Sequence, residues 1–421
     1  MREMKDSGIE WIGEIPLGWE ISPLKYNYTI IAGATPNSTC QEYWDGNITW
    51  ITPADYKTPD VYVCDSSRKI TKRGLVSCST SILPVGSIVF SKRAPIGSVA
   101  ITRRELCTNQ GCIGLVAKNR LVNNKYFYYV LSIYPEVFDL YGSGTTFKEI
   151  SATTFASIQF PFPHVSIQDR IATFLDSKCS EIDAISADIQ KEIETLEQYK
   201  CSVITEAVTK GLNPDAEMKD SGVPWIGKMP ANWTCIKGKY ILKYMQKPVK
   251  TDDGVITCFR DGEVTLRSNR REDGFTMADK EIGYQGIDVG DLVVHGMDGF
   301  AGAIGISDSR GKASPVLNVL DSRQNKKYIM YYLRSMAYGD VFAALATGIR
   351  VRSCDLRWNK LSVLLYPVPP LEEQAGIVQY IEDTLNKVNG VISEKKQQLT
   401  VIDSYKKSLI YEYVTGKKEA L

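Results

Sequence analysis

Two stretches of the chain carry apolar side chains at steps of three, four and seven. The first runs Ile171, Phe174, Leu175, Ile182, Ile185, Ile189, Ile193, Leu196, Val203 and Ile204. The second runs Ile377, Ile381, Leu385, Val388, Ile392, Leu399, Ile402, Leu409 and Ile410. Such spacing predicts one apolar face on a long helix. Pro163 and Pro369 stand just before the periodicity begins, and no proline interrupts either stretch. At 1.5 Å per residue each helix spans roughly 60 Å, too long to be the core of one small domain. Two such stripes in one chain most economically bury each other as a coiled coil; the plainer alternative packs each helix onto its own globular half.

The regions at about 27–160 and 241–364 have a different pattern. Short β-like runs (VGSIVFSK, GSVAIT, GLVA, VGDLVVHG, GAIGIS) are punctuated by Gly, Pro and Asp. Each region then has a Tyr-rich helical stretch, NKYFYYVLSIY from Asn124 and NKKYIMYYLRSMAYG from Asn325. An α+β fold is predicted for both. The chain also repeats itself. MKDSGIEWIGEIPLGW at 4–19 returns as MKDSGVPWIGKMPANW at 218–233. FPFPHVSIQDRIATFLD aligns with YPVPPLEEQAGIVQYIE, bringing Gln168 onto Gln374, Tyr199 onto Tyr405 and Glu206 onto Glu412. The plan is a short motif, a variable globular region, Pro-x-Pro and a long helix, written twice. In the short motif, Gly13 and Gly227 with Pro16 and Pro230 are expected to shape a turn, and Trp11, Trp19 and their counterparts to bury against it near the helix ends.

Composition narrows the class. A hydrophobic share of 43% and a charged share of 24% describe a globular protein, and the formal net charge of +1 argues against a DNA-coating protein of the histone sort. No run approaches the apolar length that spans a bilayer, the charged first residues do not read as a secretory signal, and ten cysteines without a CxxC pair suit a reducing compartment. The expectation is cytoplasmic, with no membrane. Two histidines, His164 and His295, leave little scope for His-based metal clusters or Ser-His-Asp catalysis. GISDSRGKAS has five residues between its glycines and Ala313 in place of the hydroxyl, so it is no phosphate loop. YGSGTTF lacks the third glycine of a dinucleotide fingerprint. The chain reads as a binder. Its basic runs, RKITKR, SKRAP, TRR, RSNRR and RVRSCDLR, fall between β-like segments beside Gly, Ser, Thr, Asn and Tyr, types that suit phosphate and base-edge contacts. Two readers on a rigid spacer would bind a split target with an unread gap. A two-headed coiled-coil tether for ligands other than nucleic acid is the alternative.

These motifs together resemble the specificity subunit of type I restriction-modification systems. The resemblance is carried by SGIEWIGEIPLGW and SGVPWIGKMPANW, by the two Pro-x-Pro helix starts, and by KRAPIGSVAI, NQGCIGLVA and GSGTTFKEIS. It implies an α+β architecture with a pseudo-twofold internal repeat: target-recognition domains at 1–163 and 212–368, joined by long helices at 164–211 and 369–421 that form an antiparallel coiled coil. It implies a non-catalytic subunit reading a bipartite, asymmetric site in double-stranded DNA with a fixed-length unread spacer. It further implies methyltransferase (modification) and ATP-driven restriction subunits as partners. This chain would hold no cofactor, with S-adenosylmethionine and ATP used by those partners. By motif position the DNA-contacting candidates are Lys92, Arg93, Thr145, Thr146 and Lys148 in the first domain. In the second they are Met297, Asp298, Thr347, Arg350 and Arg352, where KRAP is replaced by GMDG and the basic pair is missing.

Overall fold

The computed structural model describes residues 2–56, 61–93, 96–142, 148–270, 282–345 and 356–420. It divides into two compact units, one formed by Met1–Gln190 with Lys396–Leu421 and the other by Lys191–Lys395. The first unit is built on a five-stranded sheet in the order Tyr28–Ala32, Cys112–Ala117, Ile88–Ser91, Val99–Thr102, Tyr62–Val63. All neighbours are antiparallel except the last pair. Ile88–Ser91 and Val99–Thr102 are buried along their whole length, which is why these strands read as continuous apolar runs and not as an alternation. Helix Asn124–Ser132 contributes six consecutive buried residues to the core, Tyr126 to Leu131. The Asn123 side chain caps it by accepting from the N–H groups of Lys125 and Tyr126.

The second unit repeats the scheme with a four-stranded antiparallel sheet, Leu242–Met245, Leu317–Ser322, Leu292–His295, Ile304–Ile306. Helix Lys326–Tyr338 is capped by Asn325 in the same way.

The long helices are Val165–Lys210 and Leu371–Val414. On the first, the less exposed positions step by four and three: 175, 179, 182, 186, 189, 193, 196, 200, 203, 207. That is a heptad seam. Ser186 occupies a seam position, so Ile185, expected in the stripe, falls beside it and is 52% exposed. In the first unit Phe174 stacks on Tyr413 at 4.3 Å and Asp183 pairs with Lys406 at 2.5 Å. Numbers rise on one helix as they fall on the other, so the pairing is antiparallel. In the second unit Glu192 meets Lys395 at 2.6 Å.

Each long helix is fixed at its root by a buried carboxamide. Gln168 donates to the Pro163 carbonyl at 2.7 Å and accepts from the Asn123 N–H at 2.8 Å; Gln374 donates to Pro369 at 2.8 Å and accepts from Asn325 at 2.9 Å. Both are fully buried. A buried tyrosine hydroxyl does the rest. Tyr126 reaches the carbonyls of Pro161 and Val414, and Tyr328 those of Pro367 and Val208. The repeated opening motif forms a small hairpin in each unit, with Gly13 at φ +69° and Gly227 at φ +67° in the left-handed region that only glycine enters cheaply. Trp19 and Trp233 are buried, and Trp11 and Trp225 partly so. Each hairpin covers the C-terminal end of a long helix. A Cβ on Gly416 would lie 2.5 Å from Pro16, and one on Gly211 would lie 3.2 Å from Trp233.

Candidate nucleic-acid interface

In the first unit the buried strand Ile88–Ser91 delivers Lys92 and Arg93 to the end of the sheet. The Lys92 backbone is held on both sides: its N–H donates to Gly111 at 2.9 Å, and its carbonyl accepts from the Ile150 N–H at 3.0 Å. Arg93 and Glu149 form an antiparallel bridge. The fold thereby joins two of the sequence candidates' segments, 92–93 and 148–150. Glu149 is the residue that motif reasoning missed. Its carboxylate takes Lys92 at 2.7 Å and Arg93 at 2.8 Å. Partial burial pushes that carboxyl up, but the hydrogen bonds from Lys92 and Arg93 outweigh it and hold it below the usual carboxylate range. Lys148 is exposed beside it, and Arg93 is 44% exposed, so the corner keeps an excess of positive charge open to an acceptor. Gln110, next to Gly111, is exposed at the same sheet end and accepts from the Thr35 hydroxyl. Its amide is of the type that pairs with adenine.

The second unit builds the same corner with other chemistry. Strand Leu292–His295 leads to Gly296, whose carbonyl accepts from the Leu356 N–H at 2.8 Å, the counterpart of the Ile150–Lys92 bond. Buried Asn318 pins this corner by donating to the carbonyls of Val294 and Leu356. His295 Nδ1 accepts from the N–H groups of Met297 at 3.2 Å and Asp298 at 2.9 Å, which leaves its proton on Nε2. Burial pushes its pKa down, against the pull of Asp298. Met297 is 54% exposed. Asp298 takes the guanidinium of Arg260 at 2.9 Å. The loop therefore regains a cation from a distant part of the chain, which no local motif could reveal. Thr145, Thr146, Thr347, Arg350 and Arg352 lie outside the described residues.

Among the described residues no group of three or more His, Cys, Asp or Glu side chains could hold a metal, and no helix is long and apolar enough to cross a membrane. Residues 16–195 match the family described as the type I restriction modification DNA specificity domain. The MjaVIII specificity subunit of a type I restriction enzyme from Methanocaldococcus jannaschii is 22% identical over 96% of this chain and 93% of its own. The chain is similar to type I specificity subunits over nearly its whole length, and its residues 16–195 match their DNA specificity domain. The MjaIX specificity subunit of the same organism is 35% identical over 190 residues, 44% of this chain; in that match the chain spans 43% of the relative's length. Among solved structures, the HsdS subunit from Thermoanaerobacter tengcongensis superposes with TM-score 0.51 at 13% identity, covering 96% of this chain and 98% of that one. A chain from work on complex assembly and conformational transition of the type I R-M system superposes with TM-score 0.69 at 13% identity, covering 95% and 98%. At that identity the likeness is one of fold.

Proposed function

We propose that this protein reads a bipartite, asymmetric site in duplex DNA, one half-site per unit, and directs methyltransferase and restriction subunits to it. The observation that carries this reading is the pair of corners: one backbone arrangement, Ile150 to Lys92 and Leu356 to Gly296, presents Lys92, Arg93, Lys148 and Glu149 in one unit and Met297, Asp298 and Arg260 in the other. One scaffold with two chemistries suits one binding mode applied to two different sequences. The described part of the corner in the second unit balances acid with base, so Thr347, Arg350 and Arg352 are the side chains proposed to contact DNA there, with Thr145 and Thr146 in the first.

The family's specificity subunits are non-catalytic, and catalysis belongs to the partners. S-adenosylmethionine and ATP would be used there, in the cytoplasm, and the paired helices would set the length of the unread spacer. Partner docking on those helices is supported by exposed apolar residues at matching places in the repeat: Ile185 with Tyr405 in one unit, Val391 with Tyr199 in the other. The test is methylome sequencing of a host with and without this gene. Loss of one bipartite methyl-adenine motif on deletion is the expected result; a system that methylates normally without the gene would refute the reading.

A further inference from the structure

An internal repeat usually keeps its core and varies its surface. One segment here does the reverse. After strands Glu20–Pro23 and Thr234–Lys237, each unit makes a four-residue helical turn, Leu24–Asn27 and Gly238–Ile241. The buried positions differ between the copies: Leu24 against Gly238, and Tyr28 against Leu242. The first difference has a steric cause, since a Cβ at Gly238 would fall 2.3 Å from the Leu361 carbonyl oxygen. The two identical positions are the exposed ones, Lys25-Tyr26 and Lys239-Tyr240. Tyr26 is 66% exposed and Tyr240 72%, and each lysine lies over the neighbouring ring, at 5.6 and 4.9 Å. Packing does not require a large aromatic at either place.

A second cation joins each pair. Lys118 donates to the Lys25 carbonyl at 2.7 Å. Arg323, exposed, follows the strand position Ser322 that pairs with Leu242, as Lys118 follows Ala117 paired with Tyr28. Each unit thus places a second cation at the strand end next to an exposed lysine-tyrosine pair. This corner stands at the opposite end of the strand from the candidate reader. Cys112–Ala117 starts beside Ser91 and ends beside Tyr28, and Leu317–Ser322 starts beside His295 and ends beside Leu242. Six residues of strand separate the two ends by roughly 17 Å. The corner is instead continuous with the root of a long helix. Leu121, shortly after Lys118, accepts from Gln168, and Gln324, next to Arg323, accepts from Gln374.

We propose that Lys25, Tyr26 and Lys118, and likewise Lys239, Tyr240 and Arg323, are twin docking corners for an acidic surface of one partner protein, bound once per unit. The inference rests on the reading that this chain assembles with other subunits, and it extends their footprint from the helices to these corners. What is identical in both units cannot distinguish two half-sites, so it faces something common to both. Duplex DNA offers phosphates but no free base face on which a phenol ring could stack, whereas tyrosine beside lysine or arginine suits the centre of a protein interface facing carboxylates.

The test co-expresses the full chain with the modification subunit of its own system and counts bound copies by native mass spectrometry. The chain carries Lys25→Glu with Tyr26→Ala, Lys239→Glu with Tyr240→Ala, or all four changes. Because these side chains are exposed, thermal unfolding should match the unmodified chain, which checks the fold. The expected result is two copies on the unmodified chain, at least tenfold weaker uptake of one copy in each two-residue variant, and of both in the four-residue variant. Unchanged uptake of two copies overturns the proposal while leaving assembly intact. Unchanged uptake with weakened affinity of the bare chain for random duplex DNA also overturns it and assigns the corners to the DNA backbone. An unmodified chain that takes up no copy overturns the assembly reading and this proposal together.

Discussion

Glu149 governs the charge of the candidate corner in the first unit. It holds Lys92 and Arg93 in place through one carboxylate, and in doing so it neutralises one of the two positive charges that phosphate binding would use. Glu149→Gln therefore keeps the shape and releases the cations. Affinity for random duplex DNA should rise several-fold, and the slope of log K against log salt should steepen by about one, the release of roughly one further counterion. Fluorescence anisotropy across a salt series reads both; an unchanged slope would mean that this corner does not face phosphate. Lys92 and Arg93 stood out in the sequence by motif position, in the basic run that follows an apolar stretch. Glu149 and Arg260 were not, because their partners are fixed by a bridge across the sheet in one case and by a loop 38 residues away in the other. Sequence spacing carries no trace of either.

At the scale of elements, the helices were legible because a 3.5-residue period is written along dozens of residues. The exception is Ile185, where an apolar residue one place off the seam imitated a seam position held by Ser186. The buried carboxamides were visible only as an alignment, Gln168 with Gln374; that they tie each long helix to the cap of the Tyr-rich helix needed the fold. The second unit also carries an ion-pair network that no motif announced. Arg310 joins Asp253 and Asp288, and Lys247 joins Asp288 and Asp291. The hydrogen bonds from Lys247 and then Arg310 hold the Asp288 carboxyl down at about 2, and Arg310 lowers Asp253 likewise. Carboxyls that titrate lower in the fold than in the open chain stabilise fully at neutral pH. That stabilisation is lost as pH falls from the ordinary carboxylate range near 4 toward about 2. The melting temperature should drop over that interval, and Arg310→Met should flatten the drop. A variant that keeps the full acid dependence would place its origin elsewhere.

For the whole molecule, the proposed function divides labour between reading and spacing. The heptad seam makes the spacing part testable without disturbing the seam. Seven residues added to each helix, after Gln190 and after Lys395, preserve the four-three rhythm and lengthen each by about 10 Å. At 3.4 Å per base pair the preferred spacer should grow by about three base pairs, read by selection from a random DNA pool with the modification subunit present. An unchanged spacer would sink the ruler and spare the readers.

The central claim is that each unit reads one half-site by itself. Replacing residues 241–364 with the corresponding region of a relative of different specificity, and sequencing the methylome of the host, tests it directly. One half of the methylated motif should change, while the other half and the spacer stay as they were. A motif that changes in both halves, or in neither, would contradict the account.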